Sequence, residues 1–439
     1  MPFNYITVTA SSDLFAPATR AFGDILVIGK GAFGGVATDA RPFTYPGDAE
    51  KAYPKGGKTK LADKVEAPTK TAVAAAKFPV GTEVAIGKDD AVEVRTITAA
   101  TEVTGGKSTW TLDDNLTKPH ATDDPVVALG LSDLAAAISL AFRQTPPPTK
   151  VWGLEVAFDS PVWADAFTAA KDVPAQIVVL ANTPLNKTPS SNHPVDLLAK
   201  HVIEVSNSGG DGSERIGVAM LDPALTQAEQ IALNKGAIHD NRMVLVAHKS
   251  EDDVAAAVAG VIAGHEPHIS LLLKPISIEM TALFTAAEIE DYYDASINWV
   301  TSPVLLPGHG LYLGEGLTAS PSGNKKYVDI VRTLDDISFR IKATLIEAVG
   351  DVRIDRPGLR TVVTLVQGAL SPLVSRGVIE SYAIHIPLLV LLERDRATLS
   401  AEELELIRKG RSGRNVDMEV SVVYAGVIHQ IAVKLVLKG

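Results

Sequence analysis

The chain has 439 residues, 41 Lys and Arg against 52 Asp and Glu, a formal charge of −11 and not one cysteine. The acidic balance argues against a wide nucleic-acid footprint, which needs a basic surface; the missing cysteines exclude disulfides, thiolate zinc sites, iron–sulfur clusters and cysteine nucleophiles, and suit assembly in a reducing cytoplasm. With 46% hydrophobic and 21% charged residues the chain can bury a real core, and its length suggests about three domains.

The opening MPFNYITVTASSDLF lacks the basic start and apolar stretch of a signal peptide, which predicts a chain not exported by a cleaved signal. Tyr5 to Thr9 read as a short strand. Ile25 to Ile28, a continuous apolar run between glycines, fits a buried strand. Across residues 41–70, Pro42, Pro46, Pro54 and Pro68 sit among lysines, which predicts an exposed connection. From Pro79 to Asp114 the segments EVAIG, AVEVRTITA and STWTLDD are short, rich in Val, Ile and Thr, and separated by turn residues. Residues 46–129 therefore read as a small β domain inserted into a larger one, with an elaborated surface loop as the alternative.

Helix and strand then alternate. SDLAAAISLAFRQ opens with a capping residue, Ser132, and repeats apolar residues at helical spacing. KVWGLEVAF, QIVVLAN, RIGVAML, RMVLVAH and HISLLLKP read as strands; WADAFTAAK, PVDLLAKHVIEVSNS, Gln227 to Lys235 and Asp252 to Ala263 read as helices. Such alternation predicts an α/β fold with a mainly parallel sheet covered by helices.

In the last third, Val328, Val331, Leu334, Ile337, Ile341 and Leu345 step by three or four, predicting one long amphipathic helix ended by Gly350. A second helix carries Leu359, Val362, Val363, Val366, Leu370 and Leu373 and ends before Gly377. VIESYAIHIPLL reads as a strand, and Ser400 with Glu403 forms a capping box for a charged helix. Val416, Met418, Val420, Val422 and Tyr424 alternate with polar residues, and VIHQIAVKLVL follows, so two strands close the chain. A long terminal strand pair needs a partner for its edge, either within the chain or on a neighbour. The longest apolar stretches, such as Ile386 to Leu392, fall far short of the roughly 20 residues that span a bilayer.

Several motifs look catalytic. IGKGAFGG places Gly29, Gly31 and Gly34 in a G-x-G-x-x-G spacing, but a dinucleotide site needs a helix next, and VATDARPFTYPGD follows with prolines instead. The H-R-D and D-F-G motifs of a kinase do not occur. AYPKGGKT fits a relaxed phosphate loop with Gly57, Lys58 and Thr59, but no apolar strand leads into it. His265 and His268 straddle a helix-breaking Pro267. No catalytic, cofactor-binding or metal-binding residue is expected; a nucleotide-binding α/β enzyme using Gly29–Gly34 is the alternative.

The order of elements over residues 297–439 is more informative. INWVTSPVLLPGHGLYLGEGLTAS resembles the "N-x-(I/V) … G-x-G-(V/L) … G-x-T" passage of contractile tail sheath proteins, with Asn298, Gly308, Gly310, Gly314 and Thr318 in the matching places. YVDIVRTLDDISFRIKATL is similar to that family's "Y-(I/V)-x-(I/V)-x-R-T-x-D" helix, through Tyr327, Arg332, Thr333 and Asp335. The resemblance covers about residues 1–45 and 130–439 and is specific in the C-terminal third. It departs from the family's longer forms in abbreviating a proline-rich passage before Asn298.

The resemblance implies a multi-domain sheath fold: an arm at 1–20, a core at 21–45 and 130–415 (an α/β part at 130–300 and an inner part at 301–415), an outer insertion at 46–129, and a β arm at 416–439. It implies a non-enzymatic structural subunit of a contractile tail or injection system. Such subunits polymerise helically around an inner tail tube and contract, linked by strands added from terminal arms. Candidate arm residues are Tyr5, Ile6, Val8, Val420, Val422, Tyr424, Ile428, Ile431, Val433 and Leu435. Arg408, Lys409, Arg411 and Arg414 are candidates for a tube contact, with a solvated capped helix as the alternative. The implied partners are further copies of the chain, the inner tube protein, and baseplate and tail terminator proteins, with no nucleic acid and no membrane insertion. The implied location is the virion tail, assembled in the host cytoplasm.

Overall fold

The computed structural model describes residues 23–31, 39–53, 58–75, 78, 80–103, 107–157, 161–187, 193–208, 213–306, 310–320, 326–346 and 348–426. The apolar runs become the centre of an eight-stranded sheet: β1 (Ile25–Lys30), β2 (Arg41–Phe43), β9 (Val151–Val156), β10 (Ile177–Leu180), β11 (Ile216–Met220), β12 (Met243–Ala247), β13 (Asn298–Thr301) and β14 (Tyr312–Leu313). Their order is β14-β13-β12-β11-β10-β1-β9-β2, parallel from β13 to β9 with antiparallel β14 and β2 at the two edges.

Residues of β1, β10, β11 and β12 are buried on both faces because helices cover both. Leu26, Ile28, Val178 and Leu180 face α3 (Trp163–Ala170) and α4 (Pro194–Asn207). On the other face α2 (Asp133–Phe142) and α6 (Val254–Gly264) pack together and against β1. Ser132 caps α2, its Oγ accepting from Ala135 N at 3.1 Å. Shorter α5 (Gln227–Ala232) and α7 (Ala286–Asp294) each open on a complete Thr–Glu capping box.

Residues 41–70 are not the exposed connection their prolines suggest. They hold β2, α1 (Pro46–Ala52) and β3 (Lys58–Lys60), and bury Phe43, Tyr53, Leu61 and Val65. Pro46 sits in the first turn of α1, where a missing N–H costs nothing. Tyr53 donates its hydroxyl to Gly153 O at 3.0 Å. A Cβ at Gly153 would sit 2.8 Å from the Tyr53 ring, so the glycine is what admits the tyrosine.

The β-rich part spans Lys58 to Ala128: β3, β4 (Thr69–Ala74), β5 (Glu83–Ile86), β6 (Glu93–Val103), β7 (Lys107–Leu116) and β8 (Pro125–Ala128), in the order β3-β8-β5-β6-β7-β4. The two ends of this sheet meet: Leu61 bridges Ala74, Ala62 N donates to Val73 O at 2.8 Å, and Ala75 N donates to Lys60 O at 3.0 Å. The sheet is thus a closed barrel around Trp110, Leu112, Leu116, Ile86 and Ile97. It begins later than residue 46, because α1 packs on α2 beside the large sheet.

HISLLLKP is not a strand. The seat beside β12 belongs to β13, and residues 271–276 instead run irregularly along β14, with Leu273 at φ +54° and Pro275 making an isolated bridge to Tyr312.

The described residues form two compact units, 23–329 and 330–426, so the division falls later than residue 300. The second unit takes most of α8 (Val328–Ile346), then α9 (Arg356–Ser375), β15 (Ile379–His385), α10 (Pro387–Glu393), α11 (Ala401–Gly413) and β16 (Glu419–Tyr424). Ile337, Val366, Leu370, Leu373, Val378 and Ile379 form its core. Both predicted glycine stops hold, Gly350 at φ +100° and Gly377 at φ +69°. The strand expected to run through IPLL ends at His385, because Pro387 starts α10.

Candidate assembly surfaces

In the second unit, β15 and β16 pair antiparallel, from Ile379 opposite Tyr424 to His385 opposite Glu419. Tyr382, Ile384, Val420 and Val422 pack against the helical core, while Ser381, Ala383, Ser421 and Val423 face outward. Val420, Val422 and Tyr424 thus pair with β15 of their own chain. Their alternation with polar residues fits a strand with one covered face, whichever chain supplies its partner. The same alternation begins the strand at Glu419, not at Val416. Two strands are few for a stable sheet, and among the described residues each keeps one edge without a strand. Tyr5, Ile6, Val8, Ile428, Ile431, Val433 and Leu435 lie outside the described residues.

Ser400 caps α11 as its sequence predicts: Glu403 N donates to Ser400 Oγ at 3.1 Å and Ser400 N to Glu403 Oε2 at 2.8 Å. The four basic candidates are exposed, but two are engaged. Arg408 makes a bidentate pair with Glu405, both bonds 2.7 Å, and Arg411 Nε donates to Ile354 O at 3.2 Å. Arg414 closes the helix in the left-handed region at φ +52°. A backbone carbonyl leaves the Arg411 charge uncancelled, so Arg411, Arg414 and Lys409 carry the charge this end presents.

Sequence reasoning missed α10. Pro387, Leu388, Leu389, Val390, Leu391 and Leu392 form a helix in which no residue is buried. The signals were the proline at the first helical position and a run with no alternation, neither of which suits a half-exposed strand.

The passage matched by resemblance is a lock. Asn298 Nδ2 donates to Leu245 O at 3.0 Å and to Leu317 O at 2.8 Å, while its Oδ1 accepts from Leu317 N at 2.7 Å. Thr318 N and Oγ1 both donate to Lys326 O. Gly314 lies against Trp299, where a Cβ would come within 2.1 Å of the indole nitrogen. Gly308 lies outside the described residues, as does Gly34.

Gly29 and Gly31 do packing work. A Cβ on Gly29 would meet that of Ala181 at 2.4 Å, and one on Gly31 would strike the Glu155 carboxylate at 2.0 Å. An acidic side chain there repels phosphate, and the next described element is the edge strand β2 rather than a helix. Lys58 and Thr59 lie in β3, paired with Val127 and Val126 of β8. Among the described residues no cluster of three metal-ligating side chains occurs, and no helix is long and apolar enough to cross a membrane.

No family model matches the sequence, and no curated protein matches it. A chain of the contracted helical sheath of the anti-feeding prophage is similar in structure at 11% identity and a TM-score of 0.58, over 99% of this chain and 98% of that one. A chain of the anti-feeding prophage baseplate gives 12% identity and a TM-score of 0.56, over 100% and 99%. The sheath tail protein Lin1278 of Listeria innocua gives 12% and 0.46, over 93% and 96%. The mixed α/β fold of this chain is the fold of contractile sheath subunits, as its C-terminal third predicts.

Proposed function

We propose that the chain is a structural subunit of a contractile sheath, polymerising as a helical tube around an inner tube and shortening to drive that tube through a cell envelope. The observation that carries this reading is the end-to-end fold match to a helical sheath in its contracted state. The paired strands of the second unit support it, since each keeps an edge of N–H and C=O groups on which a neighbour's terminal strand can be laid.

A strand laid along a six-residue element such as β16 forms about six hydrogen bonds, each contributing a net ~0.5–1.5 kcal/mol. Such links hold subunits together while the bodies they join change their packing, and contraction needs that: two arrangements of the same parts, the extended one higher in energy until released. The exposed end of α11, with Arg408, Lys409, Arg411 and Arg414, is the surface we propose for the inner tube. Baseplate and terminator proteins would contact the two ends of the polymer, in the tail of a virion or a related particle assembled in the host cytoplasm.

Negative-stain electron microscopy of the purified chain, alone and with its tube protein at high concentration, tests the reading. Striated tubes or stacked rings of uniform diameter are expected. Small monodisperse particles in both preparations would overturn it.

A further inference from the structure

α4 covers β10 and β11 of the large sheet with Val195, Leu198, Val202 and Val205, and two buried histidines tie it down. His201 lies in its middle, 3% exposed. Its Nε2 is 3.1 Å from Nη1 of Arg215, a buried guanidinium that also donates to Ala170 O at 2.9 Å and Val173 O at 3.1 Å, at the end of α3. A guanidinium only donates, so Nε2 must accept and the imidazole must be neutral, its proton on Nδ1. His193 stands just before the first turn. Its Nδ1 accepts from Val195 N at 3.3 Å and so caps the helix. There too the accepting nitrogen must be unprotonated, and the positive end of the helix dipole opposes a charged ring.

The groups facing both rings work, on balance, against protonation. Burial, then the Arg215 guanidinium and the Lys171 ammonium, push the His201 imidazole down to about 4, against an opposing pull from Glu204 on α4 itself. Lys171 and Glu204 pair with each other at 2.6 Å, so the uncancelled charge nearest the ring is that of Arg215. Phe167 packs against His201, with ring centroids 5.2 Å apart. Burial and Lys187 lower the His193 ring, opposed by Asp196, whose carboxylate pairs with Lys200 at 2.6 Å.

We infer that α4 is an acid-released helix: protonating the two rings turns their accepting nitrogens into donors aimed at N–H groups, and the apolar face of the helix leaves β10 and β11. The second unit lacks this device, since the one histidine among its described residues, His385, is exposed on β15. The release belongs to the α/β unit alone and does not require the chain to build a sheath.

A base lowered in the fold takes up its proton more readily once released. The opening of α4 therefore becomes easier as pH falls below 6.5, the ordinary imidazole value, and levels off near 4. Hydrogen exchange of the full chain, corrected for the pH dependence of intrinsic exchange, reads this directly. Between pH 7 and pH 5 the protection of α4 amides should fall about twenty-fold through His201 alone, measured against α2 and α6, which hold no histidine. The cap of α6, Asp253, is raised by burial to about 6 and works in the opposite sense. His201→Gln keeps an acceptor for Arg215 and removes the titration, so most of the fall should vanish. Protection of α4 that merely follows α2 and α6 in the wild-type chain, or a His201→Gln chain with the whole fall intact, would overturn the inference.

Discussion

Two β structures in this chain solve the problem of the strand edge in opposite ways. In the barrel of residues 58–128, Leu61 and Ala74 close the seam, so no long edge remains to recruit another strand. In the second unit, β15 and β16 pair with each other alone among the described residues, and lean on α8 and α9 for one covered face. The barrel is finished by itself; the pair is a sheet that invites completion. Mutations in the barrel should cost stability without touching polymerisation, and changes at the pair should do the reverse.

The largest expected effect is at the pair. Removing residues 427–439 should abolish polymers, read by sedimentation and microscopy, while the melting of both units is kept. A truncated chain that still forms tubes would place the links elsewhere. Next comes Trp110, fully buried in the barrel and stacked on Phe78 at 5.3 Å between ring centroids. Trp110→Ala should cost about 3–5 kcal/mol of barrel stability, seen as an early separate melt, with tube formation unchanged.

Glu93 offers a finer test. Burial alone would raise its carboxyl, but hydrogen bonds from Thr117 N and Oγ1, Lys118 N and His120 bring it down to about 2. A carboxyl lowered in the fold contributes stability that is complete above its unfolded value of 4.5 and is lost as pH falls from there to about 2. Glu93→Gln should therefore weaken the barrel by about 2 kcal/mol at neutral pH and flatten its acid limb; an unchanged acid unfolding profile would remove Glu93 from that role. The smallest effect is expected from Arg411→Glu with Arg414→Glu. Exposed charges contribute little each, about 0–1 kcal/mol, so co-assembly with tube protein should weaken several-fold, more at low salt, with the fold intact. Unchanged co-assembly would sink the tube assignment.

The large sheet was legible because its strands are continuous apolar runs and its helices carry caps, as at Ser132 and Thr226. HISLLLKP misleads because a short apolar run does not encode whether a seat in the sheet is free, and β13 takes that seat. The prolines of residues 41–70 mislead because Pro42 stands on an edge strand and Pro46 opens a helix, two places where the missing N–H is harmless. Barrel closure is invisible in sequence, since the seam joins consecutive strands at Leu61 and Ala74 only after four later strands have been laid between them in the sheet. Asn298 was legible only through resemblance: three hydrogen bonds to backbone on two other segments leave no periodic trace.

The contrast can be tested in one preparation. Lys58 pairs with Val127, so the barrel's entry and exit are neighbours, and residues 58–128 can be replaced by a short Gly/Ser linker. If assembly resides in the second unit, the shortened chain should still form striated tubes of uniform diameter under the electron microscope. A shortened chain that keeps its cooperative melt but forms no tubes would contradict the account.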